Sequence, residues 1–97
     1  MNKIQLELND KGRGAFYIMH GDERIGEMLV SISGKELTVY HTEVVPEAEG
    51  KGLAKEMFNE MVSYARKHDL KVIALCTYAH AQFTRHADDY ADLGKKD

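Results

Sequence analysis

The chain has 97 residues, 43% apolar and 30% charged, with a formal charge of −3 at pH 7 and a sequence pI near 5.9. That length supports one domain over residues 1–97 with a single core and excludes a separate substrate domain, while an acidic balance excludes the broad basic face that nucleic acid binding needs. No apolar run is long enough to span a membrane, the N-terminus lacks a signal-peptide core, and one cysteine, Cys76, leaves no internal disulfide, so a cytoplasmic, reducing setting is expected.

Ile4, Leu6 and Leu8 alternate with Lys3, Gln5 and Glu7, the period-two pattern of a half-buried strand. Asn9 to Gly14 is rich in turn residues, Ala15 to Met19 reads as a second strand, and His20-Gly21-Asp22-Glu23 as a tight hairpin. Arg24 to Ser33 forms the third strand; its apolar phase slips between Ile25 and Met28, which predicts a bulge near Gly26. Ser33-Gly34-Lys35 turns the chain into a fourth strand, Glu36 to Val45, and Pro46 breaks it. A helix follows, with Leu53, Ala54, Met57, Phe58, Met61, Val62 and Ala65 on one face and Arg66, Lys67 and His68 at its negative end. Lys71 to Cys76 reads as a short buried fifth strand, and Ala79 to Leu93 as a final helix stopped by Gly94. The expected fold is α+β: an antiparallel meander of four strands, one parallel pair (strands four and five) joined by a right-handed crossover, and helices packed on the sheet.

The segment Val44-Val45-Pro46-Glu47-Ala48-Glu49-Gly50-Lys51-Gly52-Leu53-Ala54-Lys55 carries the strongest functional signal. Backbone N–H groups in a first helical turn have no carbonyl to pair with, so they form an anion cradle. Glycines at 50 and 52 let phosphate oxygens approach without a Cβ in the way. Lys51 and Lys55 add positive charge at the same end, and the turn leaves the carboxyl end of a strand where the sheet changes from antiparallel to parallel. The plain alternative is a strand-to-helix turn with glycines for geometry alone.

Glu49-Gly50-Lys51-Gly52-Leu53-Ala54, after Val44-Val45-Pro46, resembles the acetyl-CoA motif of the GNAT acetyltransferases, Gln/Arg-x-x-Gly-x-Gly/Ala, matched at Glu49, Gly52 and Ala54. The likeness runs from about Tyr40 to Leu93. His41-Thr42-Glu43-Val44, Cys76-Thr77-Tyr78 and Arg85-His86 followed by Tyr90-Ala91-Asp92-Leu93 resemble a compact subfamily, the YjdJ-like proteins. Glu49 stands where the family has Gln or Arg, and only a short turn joins strands one and two, where typical members insert helices. The resemblance implies acetyl-CoA as cosubstrate. Backbone groups of Val44 and Val45 would meet its pantetheine arm and polarise the thioester carbonyl. Residues Gly50, Lys51, Gly52, Leu53, Ala54 and Lys55 would wrap the pyrophosphate.

Acetyl transfer to an amine needs a deprotonated nucleophile, a polarised carbonyl and a proton for the departing thiolate. His41 and Glu43 share one face of strand four just before the cofactor turn, and a histidine titrates near neutral pH; the alternative is two polar residues on a solvated sheet face. Cys76 at the end of strand five is a candidate acyl carrier if its thiolate forms, and otherwise a small core residue. Tyr78 matches the tyrosine that many GNAT members use as general acid, with a structural role as the alternative. Five histidines show no zinc-ligand spacing, so no metal is expected. The expected activity is acetyl transfer from acetyl-CoA to an amine acceptor, with Cys76 a candidate carrier. The rival is a non-catalytic acetyl-CoA or CoA-binding sensor or accessory module. A generic anion-binding scaffold is the third reading. Neither nucleic acid nor membrane is an expected partner, and the sequence leaves monomer and dimer both open, with a monomer favoured.

Overall fold

The computed structural model describes residues 3–94. Five strands form one sheet in the order β1 (Ile4–Leu8), β2 (Arg13–His20), β3 (Glu23–Ser33), β4 (Glu36–Val44) and β5 (Lys71–Ala74). The first four pair antiparallel, while β4 and β5 run parallel. Helix α1 (Leu53–Lys67) makes the crossover between them, and α2 (Thr77–Arg85) follows β5. The antiparallel meander and its single parallel pair are as the sequence predicts.

Burial explains why α1 forms where its apolar stripe lies. Leu53, Met57, Phe58, Met61, Val62 and Ala65 are buried along it against Phe16 and Ile18 of β2, Met28 and Val30 of β3, and Leu37 and Val39 of β4. Each large side chain removed from water in this way stabilises the fold by about 1.5–3 kcal/mol. An added Cβ on Gly26 would lie 3.2 Å from Met57 Cε, so this glycine lets α1 approach the sheet closely. Both helices cover the same face. The other face is solvated and carries the exposed Leu29, Tyr40 and Leu75.

Two bulges set which residues face the helices. Ile18 pairs with Gly26 but Met19 with Arg24, leaving Ile25 as the extra residue, beside the predicted Gly26. The second was not legible in the sequence: Leu29 pairs with His41 but Val30 with Val39, so Tyr40 is extra. An inserted residue in a period-two strand exchanges the faces beyond it. Leu37 and Val39 therefore point into the core, and beyond the bulge it is Thr42 and Val44, not His41 and Glu43, that point to the helix side.

The C-terminal third departs from expectation. β5 ends at Ala74 rather than Cys76, because the N–H groups of Leu75 and Cys76 both donate to the Val39 carbonyl, at 2.9 and 3.0 Å, and the chain turns into α2. The expected helix over Ala79–Leu93 is two pieces: α2 ends at Arg85, and a 3-10 turn spans Ala87–Tyr90. Arg66 Nη2 donates to the Asp89 carbonyl at 2.6 Å, the acceptor that a continuing α-helix would offer to Leu93. Leu93 N–H goes to Tyr90 instead. Leu93, 2% exposed, then buries beneath, and its carbonyl accepts from Val72 N–H. This lays residues 93–94 along the outer edge of β5, which blunts a strand edge.

Candidate functional site

Beyond Val39, β4 has no partner on the β5 side. Val45 N–H donates to the Ile25 carbonyl at 3.0 Å. Antiparallel ladders alternate, so His41 and Glu43 also direct their backbone groups to β3, and Thr42 and Val44 direct theirs to the open edge. Val45 is thus not a free partner: its N–H is held by Ile25 and its carbonyl accepts from Ala48 N–H at 2.9 Å. The open edge belongs to Thr42 and Val44.

This edge forms one wall of a cleft of about 400 Å³, whose rim continues through Ala48, Glu49, Gly50 and Gly52 to Leu53, Ala54 and Lys55, with Tyr78 opposite. The first ladder bond of α1 is Glu56 N–H to the Gly52 carbonyl at 3.1 Å. The N–H groups of Leu53, Ala54 and Lys55 precede it and have no intrahelical acceptor. Gly50 and Gly52 adopt φ of 81° and 76°, in the left-handed region that glycine enters without cost. A Cβ built at either would meet nothing within 4 Å, so the space over this turn is clear. The first turn of α1 therefore offers several backbone donors and a helix dipole to an anion. Lys51 lies apart, lining a separate hollow with His20, Glu23 and Glu47.

On the other wall, α2 contributes Tyr78, with the buried Gln82 one turn further along. Burial raises the Tyr78 pKa above its ordinary 10.0, helped by Tyr90 and Cys76 and opposed by Arg85. Its hydroxyl is therefore a protonated donor at neutral pH. The Phe58 ring, in edge contact with Tyr78, Phe83 and Tyr90 at 6.2, 5.2 and 5.4 Å, holds α2 and the turn after it against α1. Lys55 Nζ crosses the cleft mouth to donate to Gln82 Oε1 at 2.9 Å.

Cys76 caps the start of α2 and is 5% exposed. Its Sγ lies 3.3 Å from Thr42 Oγ1, a side-chain link across the gap between β4 and α2. His41 and Glu43 are exposed on the opposite sheet face, where Glu43 lines a hollow of about 280 Å³ with Arg24, Glu27 and Val45. Of the candidates drawn from the sequence, Tyr78 and Cys76 are thus brought together with the cleft, and His41 and Glu43 are not. Thr42 and Gln82 were missed. The Tyr40 bulge hid the first, and no local pattern marks Gln82, whose partner Lys55 lies on another helix. Among the described residues no group of three or more His, Cys, Asp or Glu side chains converges to hold a metal. No helix among them is long and apolar enough to cross a membrane.

A strand whose edge opens beside a glycine turn and a helix N-terminus matches the architecture implied by the motif. A family model described as GCN5-related N-acetyl-transferase matches residues 15–93. The chain belongs to this family. Members of the family use acetyl-CoA as cosubstrate and pass its acetyl group to an acceptor. Among solved structures, a GCN5-like protein from Staphylococcus aureus is 26% identical, with a TM-score of 0.68 over 95% of this chain and 90% of that one. A ribosomal-protein-alanine N-acetyltransferase from Brucella melitensis shares the fold at 15% identity, with a TM-score of 0.63 over 91% of this chain and 65% of that one. Nourseothricin acetyltransferase also shares it, at 18% identity and a TM-score of 0.58 over 87% and 66%. No curated protein sequence matches.

Proposed function

We propose that this protein binds acetyl-CoA in the cleft between the open edge of β4 and the first turn of α1, and transfers the acetyl group to an amine. One observation carries the reading: the unpaired backbone of Thr42 and Val44 runs directly into the donor cradle of residues 50–55, giving one continuous groove with amide-binding and phosphate-binding ends. The pantetheine amides pair with the β4 edge as an added strand does. The pyrophosphate takes the N–H groups of the turn, with Lys55 beside it. Glu49 at the rim is the discordant charge.

With this orientation the thioester lies near Thr42, Cys76 and Tyr78. The amine nitrogen attacks the carbonyl carbon, forming a C–N bond as the C–S bond breaks. A backbone N–H of the open β4 edge stabilises the developing oxyanion. Tyr78 supplies the proton to the departing sulfur. An amine arriving from the open sheet face meets His41 and Glu43, either of which takes its proton, directly or through water. Cys76 is the candidate for a transient acyl carrier, which requires its thiolate to exchange Thr42 for the thioester. Cys76-Thr77-Tyr78 and Arg85-His86 support placement in the compact YjdJ-like branch.

A second reading is a CoA-binding module without efficient turnover. Two features favour it: Cys76 is buried and engaged by Thr42, and His41 and Glu43 stand across the sheet from Tyr78. Thermal shift tests the binding that both readings share. Acetyl-CoA at one hundred times its Kd is expected to add about 2.7 kcal/mol of stability, raising Tm by several degrees, and no shift at millimolar ligand overturns both. Free thiol release, or an acetyl group on Cys76, across an amine and peptide panel then supports the enzyme. Binding without either supports the module.

A further inference from the structure

Lys55 occupies the third position of α1, where the positive end of the helix dipole disfavours a cation. Among the described residues it has no salt bridge. Its ammonium is held by the neutral Gln82 amide oxygen at 2.9 Å and lies 5.3 Å from the centre of the Phe58 ring. Gln82 is 8% exposed, a buried polar side chain in an otherwise apolar core. A carboxylate at that position would hold a lysine more strongly, but it would also cancel the charge. An amide orients the ammonium with one hydrogen bond and leaves its charge and two remaining protons to a third group. An anion at the first turn of α1 would offset the repulsion between the ammonium and the helix dipole.

We infer that Gln82 is a positioning residue that holds Lys55 over the phosphate cradle, and that the pair gives the cleft its preference for a phosphate-bearing thioester over a phosphate-free one. This rests on the acetyl-CoA reading above, in which the first turn of α1 receives the pyrophosphate. The pair also sets the cleft mouth, since it ties α2, which carries Tyr78, to α1.

A double-mutant cycle with two ligands tests the inference, with Kd measured calorimetrically for acetyl-CoA and S-acetylpantetheine. Gln82→Glu neutralises Lys55 and is expected to raise the acetyl-CoA Kd at least tenfold while leaving S-acetylpantetheine within about twofold. Gln82→Met keeps the volume and the charge but frees the lysine, and is expected to raise the acetyl-CoA Kd a few-fold. In a Lys55→Met background Gln82→Met is not expected to change the acetyl-CoA Kd further, since no ammonium is left to position. Equal weakening of both ligands, or additive effects of Lys55→Met and Gln82→Met, overturns the inference and leaves Gln82 as packing. If Gln82→Glu does not fold, the Gln82→Met arm of the cycle decides alone. Wild-type protein that fails to bind acetyl-CoA overturns the underlying reading and this one together. Wild-type binding with unchanged affinity in the Gln82 variants overturns this one only.

Discussion

From Glu36 to Val39, β4 is paired on both edges, with β3 and with β5, and its inward side chains Leu37 and Val39 are fully buried. From Thr42 to Val44 it is paired with β3 alone, and its inward side chains line the cleft. One inserted residue, Tyr40, separates these halves. The first half has a paired strand on each edge and so contributes stability. The second keeps backbone donors and acceptors uncommitted, which costs some stability and leaves them open to a ligand. The same strand thus does two jobs, and the β5 turn at Leu75–Cys76 marks the boundary.

The division is open to direct tests. Leu37→Ala removes a fully buried side chain and is expected to lose about 2–5 kcal/mol in urea denaturation, with the acetyl-CoA Kd of the folded protein unchanged within about twofold. A large affinity loss would mean the halves are not separable. Proline substitutions read the open half more finely. Glu43→Pro removes an N–H directed to β3, whereas Val44→Pro removes one directed to the open edge, where proline is tolerated. Val44→Pro is therefore expected to be the more stable variant by about 1–2 kcal/mol, yet to weaken acetyl-CoA about five- to tenfold, as loss of one hydrogen bond does.

The smallest effect concerns the brace behind the paired half. Arg66 Nε donates to Asp92 Oδ2 at 3.1 Å, and this bond, with the Arg66 charge, holds the Asp92 pKa below its ordinary 3.8. A carboxylate depressed by folding contributes stability that is fully present above 3.8 and is lost as pH falls through the lower, folded value. Wild type is expected to lose more Tm between pH 7 and pH 3 than Asp92→Asn, by a small margin because the pair is exposed. An identical loss in both would show that the brace of residues 89–94 on β5 does not depend on this carboxylate.

The regular elements were legible because their signals are local. Alternation of Ile4, Leu6 and Leu8, the helical stripe from Leu53 to Ala65, and Pro46 with two glycines each report on a few neighbouring residues. The Ile25 bulge was legible for the same reason, through a slip in apolar phase. At Tyr40 there is no comparable signal, because His41, Thr42 and Glu43 are all polar and either phase reads equally well. The Ala79–Leu93 helix failed because its break is imposed from outside, by Arg66 on the Asp89 carbonyl and by the burial of Leu93.

Sequence alone determined the strand order, the crossover helix and the place of the glycine turn before it, because hydrophobic period, turn chemistry and glycine spacing act over short range. Tertiary structure decided which residues share the cleft. Thr42 replaced His41 and Glu43 through a one-residue register change. Val45 gave up its backbone groups to Ile25 and Ala48. Gln82 reached Lys55 from a helix 27 residues away. Each of these depends on which partner a group finds across space, a choice fixed only when sheet and helices pack together.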